Sequence, residues 1–331
     1  MPRSKSPKPN NWNLYKGDGD VRSITPDDLP KAPPWREFRR GVSDDRKETF
    51  QPPSEAIETV NAALSLRRPL LITGNPGTGK SSLAYAVARE LGLGAVLKWA
   101  ITTRTTLKDG LYEYDAIARL QDAQLLKAGE KRPSIGEYIT LGPLGTAFLG
   151  ADLPRVLLID EMDKSDIDLP NDLLNLFEDG EFSIRELQRV KDPEVTVRTI
   201  DRTGDRTQQT AKILDGVVQC RAFPLVIMTS NGERDFPAPF LRRCLRLRMP
   251  NPTVVELEAI VESHLGQSAA TDAEQLIQTF YDRVVTQKEM LATDQLLNVI
   301  HLRLQENSRD EASRDRLEKQ LLKDLNSPED L

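Results

Sequence analysis

From Ser54 to Met249 the hydrophobic positions fall into two alternating patterns. Short apolar runs of strand length stand at RRPLLITG (Arg67–Gly74), AVLKWAI (Ala95–Ile101), RVLLID (Arg155–Asp160), FPLVIMT (Phe223–Thr229) and CLRLRM (Cys244–Met249). Between them lie segments of helical spacing, such as Ser54–Leu66, or of loop composition. After Gly79, the residues Leu83, Ala84, Val87, Ala88 and Leu91 recur at the spacing of one helix face. Strands that alternate with helices predict a parallel sheet covered on both faces, hence an α/β fold.

The pattern changes at Asn251 and Pro252, beyond which no strand-like run occurs. Thr253 with Glu256, and Thr271 with Glu274, match the capping-box spacing at two helix starts. Leu257, Val261 and Leu265, then Leu296, Ile300 and Leu304, mark the apolar faces of a small helical domain. The first fifty residues are rich in Pro, Lys and Arg and include KAPPWREFRR, so they predict an arm without a core of its own. Trp35 and Phe38 are expected to pack that arm onto the main domain. The chain therefore divides into an arm (1–50), an α/β core (51–250) and a helical domain (251–331), with a polar hairpin, VTVRTIDRTGDRTQQTAK, inserted in the 190–215 region.

Composition narrows the function classes. A net charge of -6 argues against a chain whose main business is binding nucleic acid by counterion release. Two cysteines, Cys220 and Cys244, in separate predicted strand regions fit a reducing compartment, and two histidines without a C-x-x-C pair argue against zinc. No stretch approaches the ~18 apolar residues of a membrane span, and the N-terminus lacks a signal-peptide core; a cytoplasmic protein is expected.

Candidate chemistry follows the sheet. GNPGTGKSS (Gly74, Asn75, Pro76, Gly77, Thr78, Gly79, Lys80, Ser81, Ser82) fits G-x-x-x-x-G-K-[ST] between a strand and a helix. Such a loop turns consecutive backbone N–H groups toward phosphate oxygens, with Lys80 reaching the β- and γ-phosphates and Ser81 ligating Mg²⁺. Asp160, at the end of Val156–Ile159, is placed to hold Mg²⁺ through water, and Glu161 to orient and deprotonate an attacking water. Asn231 ends a third apolar strand and offers an amide to the water or the γ-phosphate. Arg242 and Arg243 follow a proline-stiffened loop, and a guanidinium aimed at a neighbouring subunit's nucleotide would make turnover depend on assembly.

These motifs, with GLYEYDAIARLQDAQL, the GPL turn of ITLGPLGTAFLGADLP, DLPNDLLNLFEDGEFSI and SNGERDFPAPFLRRC, resemble the MoxR group of AAA+ ATPases over the span from Phe50 to Pro252. The resemblance implies a P-loop AAA+ core with a five-stranded parallel sheet in the order 5-1-4-3-2, a C-terminal helical lid, ATP and Mg²⁺ as cofactors, and a homo-oligomeric ring, usually hexameric. It implies Walker A roles for Lys80 and Ser81, Walker B roles for Asp160 and Glu161, sensor 1 for Asn231, and the trans-acting finger for Arg243 with Arg242 beside it. It also implies a client protein, a partner with a von Willebrand A domain, and kinship with bacterial relatives of defence modules. Two features depart from the family pattern. Thr293, Asp294 and Gln295 stand where many relatives carry a sensor 2 arginine, and FQPPSEA replaces the usual Gly-Gln box, leaving the adenine pocket unassigned. The rival readings are an ATP-gated assembly switch with little turnover, a DNA-loading or transposition ATPase, and a small-molecule kinase.

Overall fold

A computed structural model describes residues 25, 29, 31–36, 50–127, 132–202, 208–305 and 311–324. Phe38 lies outside the described residues. In chain order the elements begin with α1 (Ser54–Leu66), β1 (Leu70–Thr73), α2 (Lys80–Glu90) and β2 (Leu97–Ala100). They continue with α3 (Leu107–Leu111), β3 (Tyr112–Tyr114), α4 (Ala116–Leu125), β4 (Ile139–Leu141), α5 (Pro143–Ala147), β5 (Val156–Asp160) and α6 (Leu169–Asp179). Next come β6 (Glu181–Ser183), β7 (Glu194–Arg202), β8 (Gln208–Leu214), β9 (Val217–Gln219), β10 (Leu225–Ser230), α7 (Ala238–Arg243) and β11 (Leu245–Arg248). The last five elements are helices: α8 (Val254–Leu265), α9 (Gln267–Asp272), α10 (Glu274–Val285), α11 (Thr293–Gln305) and α12 (Glu311–Leu321).

Contacts divide the chain into two compact units. Of the described residues, one comprises those of Phe50–Gly74 with Gly79–Met249; the other comprises those of Met1–Thr49, Pro250–Leu331 and the middle of the glycine-rich loop, Asn75–Thr78.

In the first unit, five parallel strands form a sheet in the order β11-β1-β10-β5-β2. Counted among themselves along the chain, these five stand 5-1-4-3-2. Alternate residues of the central strands feed two cores, as the period of two requires. Leu71, Leu157, Ile159, Val226 and Met228 enter one, with Leu144, Phe148, Leu169 and Leu173 from α5, α6 and their flanks. Leu70, Ile72, Leu158, Leu225 and Ile227 enter the other, against Ala56, Val60 and Ala63 of α1 and Leu83, Ala84 and Ala88 of α2. Burial on both faces explains why these strands read as continuous apolar runs. Leu91, expected on the buried face of α2, lies one residue past its end and is 48% exposed.

A second sheet of six strands, β3-β4-β7-β8-β9-β6, extends the first of these cores. Within the polar 190–215 region, β7 and β8 pair antiparallel in this sheet, and Val195, Val197 and Ile213 are buried in the core. Three-residue strands such as β3, β4, β6 and β9 carry too little alternation to be read from sequence.

The helical unit has its own core, built from Leu257, Val261, Ile277, Phe280, Leu296 and Ile300 among others. Thr253 and Glu256 form the expected capping box of α8. Thr271 does not cap: it already belongs to α9, where its hydroxyl turns back to the Gln267 carbonyl at 3.2 Å, and α10 starts after Ala273 without a side-chain cap. Trp35 also corrects an expectation, because its partners are in this helical unit. The indole N–H donates to Asn298 Oδ1 at 3.2 Å, and its ring meets His264 and His301 edge-on, with centroids 6.0 and 5.7 Å away.

Candidate active site

β1, β5 and β10 end side by side, so the segments that follow them gather at one edge of the parallel sheet. This is where an open parallel sheet places a ligand crevice. After β1 the chain enters the loop Gly74–Gly79, and α2 begins at Lys80. Gly79 holds φ at +82°, and a Cβ there would stand 2.4 Å from the Phe50 ring, so only glycine fits. Lys80 is 7% exposed and donates to the Gly74 carbonyl at 2.7 Å. Burial lowers its ammonium pKa to about 8, against the upward pull of Asp163, Asp160 and Glu161.

From α2 the Ser81 hydroxyl donates to Asp160 Oδ1 at 2.7 Å, and the Thr229 hydroxyl of β10 donates to the same oxygen at 2.7 Å. Thr229 Oγ1 in turn accepts the Glu161 backbone N–H at 2.9 Å. One buried hydroxyl thus ties β10 to both carboxylate positions at the end of β5. Lys98 of β2 takes the other oxygen, with Nζ 2.6 Å from Asp160 Oδ2. Burial alone would raise the Asp160 carboxyl, but the hydrogen bonds from Lys98, Thr229 and Ser81 outweigh it and hold the group below the usual carboxylate range.

Glu161 sits at φ +61°, an uncommon conformation for a non-glycine residue and one that clusters at functional positions. Its carboxylate lies 2.9 Å from Lys164 Nζ. Asn231 follows β10, and its backbone N–H donates to Asp163 Oδ2 at 2.8 Å.

A serine hydroxyl beside a single carboxylate is a hard-oxygen pair that suits Mg²⁺, which binds through one or two protein oxygens plus substrate phosphates. Among the described residues no group of three or more His, Cys, Asp or Glu side chains could hold a metal alone. The buried lysine, the glycine-shaped turn and this pair fit a nucleotide triphosphate with its magnesium.

Residues 69–244, more than half of the chain, match the model of the AAA domain, dynein-related subfamily. The chain belongs to this family. An AAA domain carries nucleotide binding and ATP hydrolysis as its general activity. A search of curated proteins finds no match to the chain.

Within this AAA domain the arginines stand apart from the other candidate residues. Leu245, just after Arg242 and Arg243, pairs with Leu70 at the start of β1, whereas the loop leaves from Thr73 at its end. At about 3.3 Å per strand residue, the two ends lie about 10 Å apart along the sheet. Both arginines are exposed. Arg243 is paired with Glu178 of α6, and the Arg68 guanidinium bonds the carbonyls of Arg242 and Arg243 at the end of α7.

In the helical unit, Asn75 Nδ2 donates to Asn251 Oδ1 at 2.9 Å. The Thr293 hydroxyl at the start of α11 donates to the Gly77 carbonyl at 3.1 Å. A Cβ on Gly77, whose φ is +79°, would stand 2.6 Å from the Thr293 nitrogen. The start of α11 thus sets a short hydroxyl against the loop backbone. Lys98, Thr229 and Asp163 were not singled out as site residues from sequence. Lys98 had a readable signal, a charge inside an apolar run; the others have none that spacing reveals.

Proposed function

We propose that this chain is a ring-forming, Mg²⁺-dependent ATPase of the MoxR type that remodels or matures a partner protein. The observation that carries the reading is the chain of hydrogen bonds from Ser81 through Asp160 and Thr229 to Glu161, set beside the loop that holds Lys80. Gly74–Ser82 binds the phosphates through backbone N–H groups and Lys80, while Ser81 and Asp160 hold the magnesium. When bound, that ion supplies the positive charge that neutralises the phosphates during phosphoryl transfer. Glu161 orients the attacking water and accepts its proton; Asn231 holds the same water or the terminal phosphate in line. Arg243, with Arg242 beside it, completes the site of the next protomer in a hexameric ring. Hydrolysis then alters how core and helical unit meet across protomers, and that motion acts on the client, with a von Willebrand A-domain protein as the expected partner. A cytoplasmic setting and membership of a bacterial defence-type module complete the proposal.

One observation favours a second reading, an ATP-gated switch with little turnover. Glu161 is held by Lys164, and Asp160 by Lys98, so both carboxylates have lysine partners within the chain. The Glu161→Gln variant separates the two. A working general base contributes about 10²–10⁴-fold, so phosphate release should fall by at least about 100-fold while ATP binding persists. Wild-type protein that binds ATP and releases no phosphate, even when assembled, would establish the switch instead.

A further inference from the structure

Asp163 takes no part in the reading above, yet it is the most deeply buried carboxylate of the site, 3% exposed. It lies in the helical turn Met162–Lys164 that directly follows Glu161. Its Oδ2 accepts two backbone N–H groups from the loop after β10, Asn231 at 2.8 Å and Glu233 at 3.1 Å. Its Oδ1 is buried with no hydrogen-bond partner among the described residues. Desolvating a carboxylate costs several kcal/mol and is recovered only through such charge-assisted bonds, so a plain turn has no need of one here. What the two bonds accomplish is geometric. β5 and β10 are neighbours in the sheet, and Asp163 joins the loop that leaves one to the loop that leaves the other. Glu161 is two residues from the joint on one side, and Asn231 is the joint on the other.

We propose that Asp163 is a positioning residue for hydrolysis: its carboxylate fixes the Asn231 turn against the Glu161 loop, so that both side chains address one water. This rests on the roles given to Glu161 and Asn231 above. The same arrangement makes a definite statement about substitutions. An asparagine at 163 can present its amide oxygen to both N–H groups, which preserves the joint without the charge. An alanine removes the joint.

Phosphate release and nucleotide affinity are measured for Asp163→Asn, Asp163→Ala, Asn231→Ala and the Asp163→Ala/Asn231→Ala double variant, with thermal unfolding alongside. Asp163→Ala should lower kcat by about 100-fold, the scale of one misplaced stabilising group, with ATP affinity within about threefold of wild type. Asp163→Asn should restore most of the rate. The double variant should be no slower than Asn231→Ala alone, because both changes disable one device. The proposal is overturned if Asp163→Ala turns over like wild type, if affinity falls in step with kcat, or if the two losses multiply. If Asp163→Ala does not fold, hydrogen exchange at the Asn231 and Glu233 amides of Asp163→Asn decides. Protection and turnover retained together support the joint; protection lost with turnover retained refutes it. Should Asn231→Ala itself be as fast as wild type, the error lies in the role assigned to Asn231; if only Asp163→Ala is fast, it lies in this inference.

Discussion

Replacing Lys98 with methionine isolates one electrostatic feature of the site. The ammonium lies 2.6 Å from Asp160 Oδ2, with side-chain exposures of 46% and 15%. It thus holds a carboxylate oxygen of the residue proposed to bind magnesium, and binding of the ion has to compete with it. At that distance two unit charges attract by about 1.6 kcal/mol in bulk water and several-fold more at a protein surface. Lys98 is almost half exposed, however, and exposed pairs yield only about 0.2–1 kcal/mol once solvent screens them. The upper end applies because Asp160 is mostly buried, and about 1 kcal/mol corresponds to about a fivefold change in an equilibrium constant. Methionine keeps an unbranched apolar stem of nearly lysine's length without the charge. In a Glu161→Gln background, where turnover does not interfere, Mg²⁺ is titrated against saturating fluorescent ATP analogue. The half-saturating Mg²⁺ concentration should drop by about fivefold in Lys98→Met. A value unchanged or raised would refute the competition and leave Lys98 as a surface charge without influence on the metal.

Three further outcomes follow from named contacts. Gly79→Ala should destabilise the fold by about 1–3 kcal/mol and abolish tight ATP binding, because of the +82° φ and the Phe50 ring; denaturant unfolding and equilibrium dialysis check it, and an unaltered midpoint would contradict it. Thr293→Val should cost about 1 kcal/mol, since it strips the Gly77 carbonyl of its hydroxyl donor, whereas Thr293→Ser should restore it; equal stability of the valine variant and wild type would remove the contact from the account. Lys80→Ala and Arg243→Ala proteins should each be inactive alone and regain part of the phosphate release when mixed, because each protomer then lacks a different half of a shared site. Absence of recovery in a demonstrably mixed assembly would contradict the trans role of Arg243.

What was legible in the sequence is what burial and backbone geometry force on residue type. β1, β5 and β10 are buried on both faces, so they had to be runs such as LLIT, VLLID and LVIMTS. The glycine-rich loop was legible because left-handed backbone at Gly77 and Gly79 excludes other residues, and Asp160 and Glu161 because they end a strand that points at that loop. The six-stranded sheet was largely hidden. Four of its strands have three residues each, and only the long β7–β8 hairpin left a pattern. The supporting residues were hidden for a different reason: Thr229, Asp163 and Lys98 matter through partners 69, 68 and 62 positions away. No local periodicity encodes such pairs. The arm of the chain misled because Trp35 is apolar enough for any core, and composition does not say which unit receives it.

The proposed ATP hydrolysis centre comprises the loop Gly74–Ser82, the Ser81–Asp160 pair, Glu161 and Asn231. Its most direct test is the experimentally determined structure of the Glu161→Gln protein with ATP and Mg²⁺. The triphosphate is expected in that loop, with Lys80 moved from the Gly74 carbonyl to the phosphates, Ser81 and Asp160 at the metal, and Asn231 facing the terminal phosphate. Nucleotide bound elsewhere, or seated in the loop with Asp160 and Asn231 both turned away from it, would contradict the account.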